Sequence, residues 1–176
     1  PMATTKKTVM QVLDAAATKE PDAKALAWKT AGTWEHLSWR EYRAQIRIVA
    51  RAFMKLGLER GQGVSILGFN RREWVVADLA AIWAGGFPAG IYTTSSAEQC
   101  RFIADHSDSA IAVVENEEQL AKIVSVRSQL PKLKAIVLMS GRSPDAVSWS
   151  DLATSAEAVS ESELDERIRS QSPDDT

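Results

Sequence analysis

Residues 63–92 read GVSILGFNRREWVVADLAAIWAGGFPAGIY, and this stretch decides the fold. It begins with a short apolar run at 63–68 and ends with another at 88–92. Between them, Val75, Leu79, Ile82 and Trp83 recur at helical spacing. Neither run alternates polar with apolar residues, which is typical of strands that are covered on both faces. A strand, a helix and a strand in this order predict a parallel unit with a right-handed crossover.

The same alternation continues on both sides of this unit. Apolar runs at 110–114 and 135–139 follow two further helical stripes, and another stripe follows Ser38. Upstream, 8–18 is predicted to be a helix, and 25–29 and 34–37 a hairpin around Ala31-Gly32. We therefore predict an α/β fold in which a parallel sheet carries helices on both faces in the order βαβαβαβ. An N-terminal helix, a hairpin and a helix precede it.

The chain is predicted to form one domain with a short extension. Residues 1–155 hold the α/β pattern, whereas 156–176 are acidic and serine-rich, with a weak helix around 164–168. We interpret 156–176 as a connector.

Several helix starts are marked by a capping side chain with an acid or amide three residues later. Such a pair satisfies free backbone N–H groups from both directions. The pairs are Ser38 with Glu41, Asn70 with Glu73, Ser95 with Glu98, Asn116 with Gln119, and Ser148 with Asp151.

Two segments resemble phosphate-binding loops. Thr93–Ser96 supplies four hydroxyls between a strand and a helix, but no glycine or lysine lies between Tyr92 and Arg101, so helix capping is favoured. Gly57, Gly61 and Gly63 precede a strand, whereas a dinucleotide fingerprint follows one. Gly57 is expected to end the helix after Ser38, and Gly61 to form a turn.

The remaining candidates for chemistry have structural explanations. His106 is expected at a helix C-terminus, Cys100 in the core, and Asp105 and Asp108 in solvent at a helix exit. A hairpin position is predicted for His36, and no ligand cluster for a metal is recognisable in the sequence.

Arg71-Arg72 is the best anion-binding pair in the chain. It opens a helix at the carboxyl end of a strand, where open parallel sheets bind ligands. A solvated first turn is nevertheless the favoured interpretation, and from these patterns alone we assign no catalytic, cofactor-binding or metal-binding residue.

Composition narrows the class of protein. With 21 basic and 23 acidic residues, the chain has no basic surplus for binding nucleic acid. Its single cysteine fits a reducing compartment, and residues 2–7 lack the apolar core of a signal peptide. We expect a soluble cytoplasmic protein; the sequence leaves peripheral membrane contact open.

The order and spacing of whole segments resemble one family. These segments are LSWREY at 37–42, LGLERG at 56–61, GFNRREW at 68–74, AGGFPAGIYTT at 84–94, IAVVEN at 111–116, QLPKLKAI at 129–136 and SWSDL at 148–152. Together they are similar to the amino-terminal part of long-chain fatty-acid acyl-CoA synthetases, notably the bubblegum type, in the adenylate-forming superfamily. The resemblance covers about residues 8–176.

The resemblance implies a parent enzyme that uses ATP, Mg²⁺ and coenzyme A. Such an enzyme activates a fatty acid as an acyl-adenylate and then forms the acyl-CoA thioester. In this family the phosphate loop of the form YTSGTTG follows a segment like Ser172-Pro-Asp-Asp, which stands at the end of this sequence. We therefore expect the connector to lead to that loop, and this chain alone to be inactive.

Two other hypotheses stay open from the sequence. The chain could be a free-standing flavodoxin-like domain that binds a nucleotide at the strand ends near Asn70 and Thr93. It could also be an interaction domain that self-associates through an uncovered sheet edge.

Overall fold

The computed structural model describes residues 6–175, so the expectation about a signal peptide at residues 2–7 falls largely outside it. The helices and strands are α1 Val9–Lys19, β1 Lys24–Thr30, β2 Thr33–Ser38, α2 Trp39–Lys55, β3 Gly63–Leu67, α3 Arg72–Trp83, β4 Phe87–Ile91, α4 Ala97–His106, β5 Ile111–Val114, α5 Glu117–Val126, β6 Ala135–Leu138, β7 Val147–Ser148, α6 Leu152–Ala156 and α7 Glu161–Arg169.

The main sheet is parallel and has five strands in the order β4-β3-β5-β6-β7. This is the flavodoxin-like order, in which the chain switches direction between β3 and β5. The predicted α/β fold is confirmed, and β1 and β2 form the predicted antiparallel hairpin. Strand β7 was not predicted, because two residues are too short for a recognisable apolar run.

Helices cover both faces of the sheet, and strand side chains alternate between two cores. Val64, Ile66, Ile111 and Val113 pack with α1, α2, α3, α6 and α7. Leu67, Ala112, Val114 and Ile136 pack on the other face with α4 and α5. Because side chains alternate along a strand, each apolar run supplies both cores. This explains why the runs do not alternate with polar residues.

The predicted caps are confirmed at two helices and wrong at three. Ser38 forms a full capping box with Glu41, and the Asn116 side chain accepts the Gln119 amide. At α4 the cap is one residue later than predicted: Ser96 pairs with Gln99, while the Ser95 amide donates to the Tyr92 carbonyl.

The other two predicted caps, at Asn70 and Ser148, are absent. Helix α3 has Arg71 at its N-cap with no side-chain cap, so Asn70 does not cap it. Ser148 donates its hydroxyl to the Gly141 carbonyl, and a 3₁₀ turn, Trp149–Asp151, begins there instead.

Helices α2, α3 and α4 end in the same way. Gly57, with φ of 107°, follows α2; its amide donates to the Met54 carbonyl and the Leu58 amide to the Phe53 carbonyl, as predicted for a glycine that ends this helix. Gly85 plays the same role after α3. Asp108 adopts φ of 49° after α4, a left-handed conformation that a non-glycine residue rarely takes.

The segment at 156–176, interpreted as a connector, folds onto the domain as far as it is described. Leu164 of α7 is fully buried, and the Arg47 guanidinium of α2 binds the carboxylates of Glu161 and Asp165, with Nε 2.7 Å from Glu161 Oε2. Arg167 donates to the carbonyls of Leu58 and Ala84, just beyond α2 and α3. That residues 156–176 lead to a phosphate loop stays a prediction.

The two ends of the described chain lie side by side. The Lys6 ammonium is 2.5 Å from a carboxylate oxygen of Asp174, and Arg60 lies 3.6 Å from the Asp175 carboxylate. None of the helices within residues 6–175 is long and apolar enough to cross a membrane.

The β1–β2 turn predicts a stabilising substitution. Ala31 and Gly32 have φ of 46° and 87°, as in a type I′ turn, which favours Asn-Gly. We expect Ala31→Asn to raise the free energy of unfolding by about 0.5–1 kcal/mol, since asparagine tolerates the left-handed region better than alanine. Thermal unfolding would show a gain of about 2–4 °C per kcal/mol. Gly32→Ala should move the midpoint down; an upward shift would contradict the turn assignment.

A core substitution tests whether α7 belongs to the folded unit. We expect Leu164→Ala to lower the free energy of unfolding by about 2–5 kcal/mol, because it opens a cavity at a fully buried site. Ser162→Ala, at an exposed position of the same helix, should change it by less than about 0.5 kcal/mol. Urea titrations of both variants measure this, and equal small effects would mean that α7 is not packed.

Candidate functional site

The carboxyl edge of the parallel sheet is where a ligand site is expected. Ligands of open α/β sheets bind outside the carboxyl ends of the strands, at the point where strand order reverses. Here that point lies between β3, which ends at Leu67, and β5, which ends at Val114. The loops that follow these strands contribute Phe69, Arg71 and Glu115.

Glu115 fills the crevice between β3 and β5. Its Oε2 accepts the Phe69 amide at 3.0 Å, and a Cβ on Gly68 would lie only 2.9 Å from the Glu115 Cβ. Gly68 therefore lets the two loops approach closely. A phosphate at this position would meet a carboxylate instead of free amides.

Both arginines of the predicted anion-binding pair contact one buried carboxylate. Arg71 Nε is 2.7 Å from Glu73 Oε2, and Arg72 Nη2 is 3.3 Å from Glu73 Oε1. Arg71 also donates to the Ser140 hydroxyl at 2.9 Å, and its Nη1 lies 4.0 Å from Glu115. The Arg72 guanidinium lies over the Trp28 ring, 5.2 Å from its centroid. The pair thus organises the start of α3 and is neutralised within the protein.

This network changes the ionisation of Glu73. Burial alone would raise its pKa, but the hydrogen bond from Arg71 and the charges of both arginines outweigh burial and hold the pKa below its usual value. Glu73 was expected to support a cap with Asn70. Its carboxylate is instead directed at the arginines, and because Arg71 is the N-cap of α3, Asn70 lies one residue too early to cap the helix.

The hydroxyl-rich segment Thr93–Ser96 is a joint between β4 and α4. Ser96 caps the helix, and the Ser95 amide closes a turn onto Tyr92. No lysine lies nearby along the chain, yet Lys122 of α5 donates to the Thr93 carbonyl at 2.7 Å. That ammonium donates to a backbone carbonyl and Ser96 caps the helix, so the capping interpretation of the segment holds, shifted by one residue.

Of the other candidates, Cys100, Asp105, His106 and Asp108 lie on α4 or directly after it, and His36 lies on β2. Cys100 is fully buried, and burial raises the pKa of its thiol, as expected for a core residue. His106 is the last residue of α4 and stacks on Phe102 at 5.9 Å. Asp105, Asp108 and His36 are exposed, with His36 on β2.

These residues do not fit Mg²⁺–ATP. Throughout 6–175 the structure has no group of three or more His, Cys, Asp or Glu side chains placed to hold a metal ion. The carboxylates nearest the crevice, Glu73 and Glu115, already accept from arginines or backbone. We therefore derive no catalytic step through the nucleotide, and the prediction that this chain contributes no catalytic residue stays a prediction.

Comparison with protein families decides the membership of the chain. A family model described as AMP-binding enzyme matches residues 13–176. The chain belongs to this AMP-binding enzyme family. Sequence resemblance had suggested the same superfamily from segment order alone.

Curated AMP-binding relatives are similar over nearly the whole chain. Long-chain-fatty-acid–CoA ligase ACSBG2 of Xenopus laevis is 44% identical over 170 residues, which are 94% of this chain and 23% of that protein. ACSBG2 of Gallus gallus is 41% identical over 95% of the chain and 22% of the relative. ACSBG1 of Bos taurus is 39% identical over 96% of this chain and 24% of the relative. The chain thus spans about a quarter of the length of these relatives.

Solved structures of AMP-binding and related ligases share the fold. A long-chain-fatty-acid CoA ligase from Rhodopseudomonas palustris superposes with a TM-score of 0.75 over 86% of this chain and 37% of that one, at 20% identity. The anthranilate CoA ligase AuaEII superposes with a TM-score of 0.71 over 96% of this chain and 29% of that one, at 21% identity. At these identities the similarity establishes the architecture.

The Glu73 network predicts a pH-dependent contribution to stability. Because the pKa of Glu73 is lower when folded, its stabilisation is present above the ordinary glutamate pKa and is lost as pH falls through the folded value. At pH 7, Glu73→Gln should reduce the free energy of unfolding by about 1.5–3 kcal/mol.

The difference from wild type should shrink below about pH 4. Urea unfolding of wild type and Glu73→Gln at pH 7 and below about pH 4 measures this difference in unfolding free energy. Glu117→Gln, an exposed first-turn position of α5, is the matched control and should change stability by less than about 0.5 kcal/mol. A Glu73 effect that is independent of pH would contradict the assigned charge network.

Proposed function

We propose that this chain is the amino-terminal part of an ATP-dependent long-chain fatty acid–CoA ligase. The parent would form an acyl-adenylate from a fatty acid and ATP with Mg²⁺, and then transfer the acyl group to coenzyme A. The observation that carries the proposal is the 44% identity, over 94% of the chain, to a protein named as such a ligase. A cytoplasmic location, with peripheral membrane contact open, belongs to the same proposal.

The role of this part within the parent is structural. Its crevice is filled by Glu115, and its two best-placed cations are paired with Glu73, while Glu115 lies 4.0 Å from Arg71. Phosphoryl chemistry needs preorganised cations and amide donors directed at the transferring group. We propose that these come from the remaining three quarters of the parent, and that this domain forms one wall of the large amino-terminal domain.

The free-standing nucleotide-binding alternative is less well supported by the same geometry. A nucleotide at the β3–β5 crevice would have to displace Glu115 from the Phe69 amide. Calorimetry with ATP, AMP and coenzyme A separates the two: saturable micromolar binding would favour the free-standing domain. The uncovered sheet edge makes self-association a second candidate role for the isolated chain.

The isolated chain is expected to be inactive. ATP–pyrophosphate exchange with palmitate should not rise above the buffer rate, because the groups that stabilise the transferring phosphorus are missing. The full-length Xenopus laevis relative serves as the positive control. Exchange above buffer by the purified chain would contradict the proposal.

A graft tests the positive half of the proposal. Residues 6–175 replace the matching segment of the Xenopus laevis relative, and acyl-CoA formation from palmitate is measured. If the segment is the equivalent wall, activity should stay within about tenfold of the parent, a loss of about 1.4 kcal/mol in transition-state stabilisation. A folded graft that makes no acyl-CoA would argue against equivalence.

A further inference from the structure

Strand β4 is an open edge of the parallel sheet. Within residues 6–175 it pairs with β3 alone, from Gly63 opposite Phe87 to Leu67 opposite Ile91. An edge strand presents backbone donors and acceptors that another strand can bind. The orientation of each residue of β4 decides which groups are available.

The free groups belong to alternate residues. The Phe87 amide donates to the Gln62 carbonyl, so Phe87 faces β3. Because backbone groups alternate sides along a parallel strand, Ala89 and Ile91 also face β3, whereas Pro88 and Gly90 face outwards. The same alternation, carried one residue past the end of β4, would direct the Tyr92 N–H outwards. Pro88 offers a carbonyl but no N–H.

This edge lacks the charges that usually keep sheet edges apart. Residues 85–97 contain no charged side chain, and Phe87 and Tyr92 are 40% and 85% exposed. Lysines and inward-pointing charges normally protect such edges; here Pro88 is the one protective residue on the strand. Two copies of this edge can therefore approach without repulsion between β4 charges.

The neighbouring helix α3 extends the apolar surface. Every residue of Arg72–Trp83 is buried or half-buried, and its half-buried positions include Val75, Leu79 and Ile82. The half-buried positions of α3 also include the charged residues Arg72 and Asp78, so its surface is mixed and not wholly apolar. Trp74 joins α3 to the edge, since its Cζ2 lies 3.4 Å from where a Cβ on Gly90 would be.

We propose that a second copy of this chain pairs with β4, antiparallel, about a twofold axis at Gly90. Each Gly90 N–H then donates to the partner's Gly90 carbonyl, and each Tyr92 N–H to the partner's Pro88 carbonyl. Compared with a complete antiparallel ladder, this pairing lacks the bonds that a Pro88 N–H would donate in each copy. A register centred on Pro88 would place two prolines opposite each other and lose both central bonds.

The dimer joins two five-stranded sheets into one continuous sheet. A twofold axis through Gly90 also brings the Trp74 side chains of both copies to the same face of the seam, where they shield the central bonds from water. This inference does not depend on the ligase assignment, because it uses the edge and its composition alone.

Gly90 offers a matched pair of variants. Gly90→Pro removes the outward N–H without breaking a bond to β3, whereas Gly90→Ala keeps it and makes ordinary contact with Trp74. Sedimentation velocity at about 5 and about 200 µM should show a dimer fraction that rises with concentration for wild type, by mass action. The dimer dissociation constant of Gly90→Ala should stay within about threefold of the wild-type value, and that of Gly90→Pro should be at least about tenfold higher than wild type.

Thermal unfolding of each variant confirms that it is folded before association is compared. Hydrogen exchange gives an independent readout at residue level. The Gly90 and Tyr92 amides should be protected increasingly as concentration rises, whereas the Ala89 and Ile91 amides, already bonded to β3, should not change.

Three results would overturn the proposal. A wild-type monomer at every concentration would mean that the edge is reserved for another strand, such as one from the rest of the ligase. Association that Gly90→Pro leaves intact would place the contact elsewhere. Association without protection of Gly90 would do the same.

Discussion

The central strands of this domain are buried on both faces, and the rest of the architecture follows from that constraint. Every residue of β3, β5 and β6 is buried, so these strands are apolar except for Ser65, whose hydroxyl lies 2.7 Å from that of Ser109. Parallel neighbours can be joined only by crossovers, which place α3, α4 and α5 over the sheet. The charged residues near the central strands therefore lie beyond the strand ends, as Glu115 does after β5.

The two ends of the sheet serve different purposes. At the amino edge, α2, α3 and α4 finish in left-handed residues that turn the chain directly into the next strand, and Arg167 of α7 binds carbonyls beyond two of these helices. At the carboxyl edge, Glu73 and Glu115 neutralise the local cations and occupy the crevice. The amino edge is thus tied together by hydrogen bonds to backbone carbonyls, and the carboxyl edge supplies carboxylates to its own arginines.

Strands, helices and their order could be predicted from the sequence, because burial on both faces and helical stripes leave strong periodic signals. The helix caps were harder to predict from the sequence. Ser95 and Ser96 each have a suitable partner three residues on, so only the turn onto Tyr92 decides between them. The contacts of Arg71 with Ser140 and of Lys122 with Thr93 join residues far apart in sequence and left no local signal. Helix α7 was underestimated because its stripe is short, although Ser160 and Glu163 form a full capping box.

The proximity of Lys6 to Asp174 has a topological consequence. Since the described ends meet, a short glycine linker could close the backbone into a ring without stretching any element. The ring could then be opened at the exposed Ala31-Gly32 turn, so that the hairpin supplies the new ends and every crossover stays intact. In such a permuted molecule, the order of strands in space would be unchanged while the order of synthesis differs. Folding of such a molecule would show that the architecture depends on which segments neighbour each other, and not on the order in which they are synthesised.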